Sequence, residues 1–419
     1  MNLFHLGLKS LWSRRYTAIL VLLTVAISTA LLIGVERIRH STKSSFTNTV
    51  SGVDLIVGAR SGSISLLLYS VFRLGNPTNN ITWESYRDFA EKQGVAWTIP
   101  LSLGDSHRGF RVLGTSRDYF EYYKIGRGRS LVFDAGNEFD QLLDVVLGAE
   151  VAEQLNYKIG DEIIIAHGLG TTSFSNHDDN PFTVSGILAR TGTPVDRTLH
   201  VSLEAIEAIH VGWEGGVKIP GATRSVSQLR DKDLQPKAIT AFMLGLESRV
   251  GVFKLQRAVN EYREEPLLAV LPGAALQELW GFMRVAENAL WIISLFVVFA
   301  GFVGMIAVSL AGLNERRREI AVLRAVGASS TNVSALLIVE SVILTAIGIV
   351  LGMTVLHALV WILQGIIETR FGIGISNALP TATEWKLIGG LLLAGTAAGT
   401  VPAVVAYKNT LMDGLTARV

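Results

Sequence analysis

The sequence predicts a membrane α-helical protein with four transmembrane helices and a large α+β extracytoplasmic domain inserted between the first and second of them. Three observations lead there. Apolar residues make up 49% of the chain but are bunched rather than spread. Four runs (17–35, 289–312, 333–363 and 387–406) are each about 19 residues or longer and nearly free of charge, enough to cross a hydrocarbon core of roughly 30 Å as helix. Between the first two lie roughly 250 residues of mixed character, too many for a loop, so this stretch must fold on its own.

Residues 1–16 place Leu3, Phe4, Leu6, Leu8, Leu11 and Trp12 beside Lys9, the pattern of a helix lying along a membrane surface. The run 17–35 exceeds a signal-peptide core, and no small-x-small site closes it before Glu36 and Arg37, so an uncleaved anchor is expected. Lys9, Arg14 and Arg15, then Arg316, Arg317, Arg318 and Arg324, and finally Lys408 and Arg418 all fall on one side of the four spans. Positive charge in short loops stays on the side of synthesis, so both termini and the loop 313–331 are expected to be cytoplasmic. Residues 36–285 and the short loop 364–386 then lie outside, and 407–419 form a cytoplasmic tail.

Within 36–285, helical periodicity appears near 83–92, 149–155, 203–209 and 249–261. Strand-like runs appear at 54–57, 109–113, 145–147, 162–166, 182–188, 200–202 and 239–244, and the interleaving indicates α+β. No cysteine is present, so this domain relies on its apolar core rather than on disulfides. Its charges nearly balance, which gives no footprint for nucleic acid.

The loop 313–331 is the most informative stretch. A charged start runs into an amphipathic segment. If it is helical, Ile320, Leu323 and Gly327 fall on one stripe and Ala321, Ala325 and Ala328 on another, a slim surface that a groove on another protein could accept. Stop-transfer charge alone needs no Ile, Leu and Val at helical spacing. In the spans, Glu340 and His357 are ionisable; Glu340 lies near enough to the basic loop to snorkel or pair with it, and an interfacial place is expected for His357. Gly348 and Gly352, and Gly395 and Gly399, put small residues four apart on the third and fourth spans, which permits close helix contact.

Hydrolase chemistry lacks its central residues, since no HExxH, G-x-S-x-G or cysteine nucleophile occurs. His167, His177, Asp178 and Asp179 on a polar, Gly-rich stretch could hold a divalent ion, but their spacing matches no ligand pattern. A solvated turn ahead of a strand accounts for them, and no metal is assigned.

The segment Glu315-Arg316-Arg317-Arg318-Glu319-Ile320-Ala321-Val322-Leu323-Arg324-Ala325-Val326-Gly327-Ala328, continued by Glu340, Gly348 and Gly352, resembles the signature of ABC-transporter permeases of the FtsX, MacB and LolC type. Asp54-Leu55-Ile56-Val57-Gly58-Ala59, Val146-Leu147-Gly148-Ala149-Glu150-Val151-Ala152, Ile159-Gly160-Asp161 and Phe182-Thr183-Val184-Ser185-Gly186-Ile187-Leu188 resemble the MacB-type periplasmic core domain, in which an inserted part is expected at about 144–209.

The resemblance implies a mechanotransmission permease of the inner membrane, working as a homodimer or with a paralogue, whose coupling residues Glu315, Arg316, Arg317, Arg318, Glu319, Ile320, Leu323, Arg324 and Gly327 dock onto a cytoplasmic ABC ATPase. No G-x-x-x-x-G-K-[ST] loop is present, so the chain is expected to be no enzyme and to hold no cofactor, with ATP and Mg bound by the partner chain. An extracytoplasmic cargo (lipoprotein, peptide or small molecule) would be exported or extracted, with a periplasmic adaptor or lipoprotein as further partner. Two alternatives stay open: a signalling subunit that activates a periplasmic hydrolase, and a component of a metal-handling system.

Overall fold

The computed structural model describes residues 15–126, 128–167, 180–211, 213–214, 217–218, 234–315, 317–371 and 379–412. Two compact units emerge, one formed by Met1–Thr42 with Arg284–Val419 and the other by Lys43–Met283. In chain order the helices are α1 (Arg15–Thr49), α2 (Ser63–Ser70), α3 (Trp83–Ala90), α4 (Asp118–Tyr122), α5 (Ala149–Leu155), α6 (Leu203–His210), α7 (Val252–Asn260), α8 (Pro272–Glu315), α9 (Arg317–Ala325), α10 (Ser330–Phe371) and α11 (Ala382–Met412). The main strands are β1 (Leu55–Ala59), β2 (Val95–His107), β3 (Phe110–Thr115), β4 (Phe133–Gly136), β5 (Asp144–Leu147), β6 (Phe182–Leu188), β7 (Thr198–Ser202), β8 (Ala241–Leu246) and β9 (Leu267–Val270).

In the unit Lys43–Met283 these strands form one sheet in the order β9-β1-β8-β2-β3-β7-β5-β6-β4. The pairs β3–β7 and β5–β6 are parallel and the other neighbours antiparallel. Alternation along each strand divides the core between the two faces. Ile56 packs with Leu66, Leu67 and Tyr69 of α2, whereas Leu55 and Val57 join Phe89 of α3 and Val252, Leu255 and Val259 of α7. Farther along the sheet, Val145 and Leu147 pack with Val151 of α5 and Ile206 and Ile209 of α6, while Val146 turns to the face of Tyr119 and Phe120. Strands covered on both faces read as continuous apolar runs, which is why β1 and β5 stand out in the sequence.

Local chemistry sets the helix starts. The Thr82 hydroxyl accepts the Ser85 amide at 3.3 Å, and the Ser202 hydroxyl accepts the Ala205 amide at 3.0 Å, each capping the helix that follows. Gly148 precedes α5 where a Cβ would run into the Val195 carbonyl and the Asp196 backbone, so only glycine fits there.

The stretch 144–209, expected as an inserted part, instead supplies β5, β6 and β7 to the same sheet. The parallel β3–β7 ladder, from Thr198 opposite Arg111 to Ser202 opposite Thr115, joins it to the strands before it.

In the other unit, four helices among the described residues are long and apolar enough to cross a membrane: Arg15–Ser44, Pro272–Leu313, Ser330–Ile367 and Ala382–Lys408. Their common core includes Val25 and Ile33 of α1, Phe302 and Met305 of α8, Leu344 and Ile349 of α10, and Leu391 and Ala398 of α11. Helix α10 runs on to Phe371, so part of the stretch 364–386 expected as a loop is helical.

Candidate coupling site

Helix α9 stands between the end of α8 at Glu315 and the start of α10 at Ser330. It terminates by a glycine mechanism: the Val326 amide reaches the Val322 carbonyl at 3.1 Å, the Gly327 amide reaches the Arg324 carbonyl at 2.9 Å, and Gly327 has φ +99°. Gly327 therefore lies past the helix end, which corrects the expected stripe Ile320–Leu323–Gly327. Helical projection extends a helix that the left-handed residue stops. The Ser329 hydroxyl then accepts the Asn332 amide at 3.2 Å and opens α10.

On the surface of this turn Val322 is 59% and Val326 82% exposed, one helical turn apart, with Ala321, Arg324 and Ala325 also exposed and Ile320 half-buried. Among the described residues, nothing lies within 4 Å of a Cβ built on Gly327. Arg324 occupies the last turn of α9, where a cation complements the helix dipole. Arg316 lies outside the described residues. Glu315, Arg317, Arg318, Glu319 and Leu323 are placed by their backbone, in or at the ends of α8 and α9.

The four glycines of the spans sit at helix contacts. A Cβ on Gly348 would come within 2.7 Å of Val25 Cγ1, and one on Gly352 within 2.5 Å of the Ala26 carbonyl oxygen, so both bring α10 against α1. A Cβ on Gly399 would lie 2.5 Å from Ser341 Cβ, and one on Gly395 would strike Thr345, so these two bring α11 against α10. The hydroxyls at the contacts are satisfied within their own helices, Thr29 to the Val25 carbonyl at 2.8 Å and Thr345 to that of Ser341 at 2.8 Å. What they offer the neighbouring helix is a close-packing surface. Sequence reasoning missed a fifth such position, Gly301 of α8, whose Cβ would lie 2.7 Å from Ser28 Oγ; it carries the same small-residue signal.

Glu340 is 5% exposed and lines a pocket of about 50 Å³ with Thr17 and Val21 of α1, Ser309 of α8, and Ser341 and Leu344 of α10; Pro402 of α11 closes it. All four span-bearing helices thus contribute to its surroundings. His357 is half-buried and bonded to Arg37 of α1. In the other unit, His167 ends a two-residue strand opposite Asp105, and His177, Asp178 and Asp179 lie outside the described residues.

Comparison with known proteins gives the family. The model of the MacB-like periplasmic core domain matches residues 18–238, more than half of the chain, and that of the FtsX-like permease C-terminal matches 291–411. No curated protein matches. Solved structures similar to it include the periplasmic region of MacB from Actinobacillus actinomycetemcomitans, 9% identical over 55% of this chain and 94% of that one with a TM-score of 0.34. Another is the extracellular domain of the noncanonic ABC-type transporter YknZ from Gram-positive bacteria, 12% identical over 52% of this chain and 98% of that one with a TM-score of 0.31. With family matches over residues 18–238 and 291–411, the chain belongs to the FtsX/MacB/LolC-type permeases of ABC transporters, multi-pass membrane proteins with a periplasmic domain.

Proposed function

We propose that this permease couples ATP hydrolysis by a separate cytoplasmic ATPase to movement of its periplasmic domain, and so drives export or extraction of a cargo outside the membrane. Membership of the family implies a partner ABC ATPase and dimerisation. The observation that carries the coupling role is α9 with the turn that follows it, between two span-bearing helices, which together expose Val322 and Val326 and stop at the left-handed Gly327. ATP and Mg would be held by the partner, and a periplasmic adaptor or lipoprotein would receive the motion.

A carboxylate placed in a partner's apolar groove must be desolvated without a counter-charge. Val326→Asp is therefore expected to reduce co-purification of the ATPase at least tenfold while leaving insertion and folding intact, because Val326 is 82% exposed. Undiminished recovery of the ATPase with this variant would remove α9 from the interface.

We further propose that both termini and α9 lie on the cytoplasmic side of the inner membrane, from the basic residues around the spans. The chain contains no cysteine, so single cysteines report cleanly. In spheroplasts, Gln93→Cys should react with a membrane-impermeant maleimide and Ser329→Cys only after lysis. Both positions are exposed. Reaction of Ser329→Cys before lysis would reverse the orientation.

A further inference from the structure

At the end of the bundle where α1 leads on toward β1, contacts between helices change character. Arg37 of α1 and Glu384 of α11, 347 positions apart, form a two-bond pair, with Nε 3.0 Å from Oε1 and Nη2 3.2 Å from Oε2. Their side chains are 6% and 2% exposed. The remaining guanidinium nitrogen, Nη1, lies 3.4 Å from Nε2 of His357 on α10. His357 Nδ1 is 2.7 Å from the Met353 carbonyl oxygen, which can only accept, so Nδ1 carries the proton and Nε2 is left as the acceptor that faces Arg37.

Glu384 is itself held by a capping box. Its Oε2 accepts the Thr381 amide at 3.0 Å, and its own amide donates to Thr381 Oγ1 at 3.3 Å. The carboxylate is thus fixed to the first turn of α11 before Arg37 arrives. On the same stretch of α1, Glu36 binds Arg39 at 2.9 Å, and Arg39 reaches Glu287 of α8 at 4.0 Å. Residues 36–39 of α1 therefore carry a polar tie to each of the other three span-bearing helices.

A buried ion pair is weak evidence of stability, because desolvation offsets much of the attraction and a well-packed apolar pair would hold the helices about as firmly. Its distinct property is direction: two parallel bonds between a planar guanidinium and a carboxylate allow one alignment, whereas the glycine contacts elsewhere in the bundle can slide. We propose that Arg37, Glu384 and His357 form a clamp that makes α1 follow α10 and α11 when the coupling turn is displaced, so that motion reaches the periplasmic domain. This rests on the coupling role proposed above. Arg37 and Glu384 are positioning residues in it, and His357 engages the third guanidinium nitrogen.

The test uses the intact permease with its co-purifying ATPase in nanodiscs, reading hydrogen exchange of β1 with and without non-hydrolysable ATP. Arg37→Met combined with Glu384→Gln removes both charges, keeps the side-chain volumes, and leaves an amide that can still close the capping box. This double variant should retain the ATPase and hydrolyse ATP within about twofold of wild type, yet lose at least four-fifths of the nucleotide-dependent change in β1. Arg37→Lys, which keeps the charge but not the fork, should retain about half of that change. A double variant with the full wild-type response would overturn the clamp. A second measurement needs no variant: because the clamp must hold while it transmits, exchange of 381–384 in the wild type should be the same with and without nucleotide, and loosening on nucleotide binding would overturn it too. If the wild-type complex shows no nucleotide response in β1, the coupling role fails first, and the clamp with it.

Discussion

Gly352→Leu is expected to lower the melting temperature of the detergent-solubilised chain by roughly 3–4 °C, from a cost of about 3 kcal/mol. A Cβ at this position would lie 2.5 Å from the Ala26 carbonyl oxygen and 2.8 Å from Thr29 Cβ. The first is backbone within α1 and cannot rotate aside, so the helices must separate, and the contacts of Val25 with α10 loosen along with those of Ala26. Gly365→Leu on the same helix is the control. Among the described residues, nothing lies within 4 Å of its Cβ, and leucine is the better helix former, so its melting temperature should stay at or slightly above wild type. Equal losses for both variants would show that glycine matters in α10 for some reason other than its approach to α1.

The contrast between these two glycines also marks where sequence reasoning reaches its limit. The runs around Gly348 and Gly352 are legible as a span because length and hydropathy suffice. That this pair faces α1 while Gly395 and Gly399 face α10 depends on helix rotation, which an all-apolar segment does not encode. In the periplasmic domain, β6 and α5 fall within the segments their periodicity marks, since Phe182 and Val184 alternate with polar residues and α5 opens at a glycine. The longest strand, β2, escapes: Pro100 and Gly104 interrupt its alternation, and its ladder shifts register between Leu103 and Ser106. Helix α2 is a short apolar run that could equally be a strand.

At the coupling turn, the exposed apolar face was legible in kind but not in position. Gly327 reads as part of a stripe until its positive φ shows it to be a stop. The clamp was half-legible: Thr381-x-x-Glu384 is a capping-box pattern on its own, but its partner Arg37 is far away in sequence and is fixed only by the packing of α1 beside α11.

The periplasmic domain should weaken as pH falls below about 6.5, by about 1.4 kcal/mol per pH unit for a histidine held neutral in the fold. His200 on β7 is such a residue. It is fully buried, its Nδ1 meets the Val146 carbonyl at 3.3 Å, and its Nε2 has no hydrogen-bond partner among the described residues. Burial, helped by the nearby charge of Arg73, lowers its pKa to about 3. His107, between the Ile164 carbonyl and the Tyr157 hydroxyl, is lowered in the same direction, again mainly by burial.

The sign follows from proton counts. Below 6.5 the unfolded chain takes up a proton at His200 that the folded chain does not, so this contribution is complete above 6.5 and is lost steadily as pH falls toward the folded pKa; His107 acts in the same direction. Asp196 and Glu207 act oppositely, since burial raises both. Their windows open upward from the ordinary carboxylate range and offset part of the histidine slope, and the comparison with His200→Gln cancels them. Urea unfolding of the full chain between pH 7 and pH 5 should therefore lose about 2 kcal/mol through His200 alone. His200→Gln, which can still donate to Val146 but does not titrate, should be less stable at pH 7 and flatter by about 1.4 kcal/mol per pH unit below 6.5. The same slope in both proteins would mean that His200 is protonated in the folded state, and that its pocket admits water or an anion near Nε2.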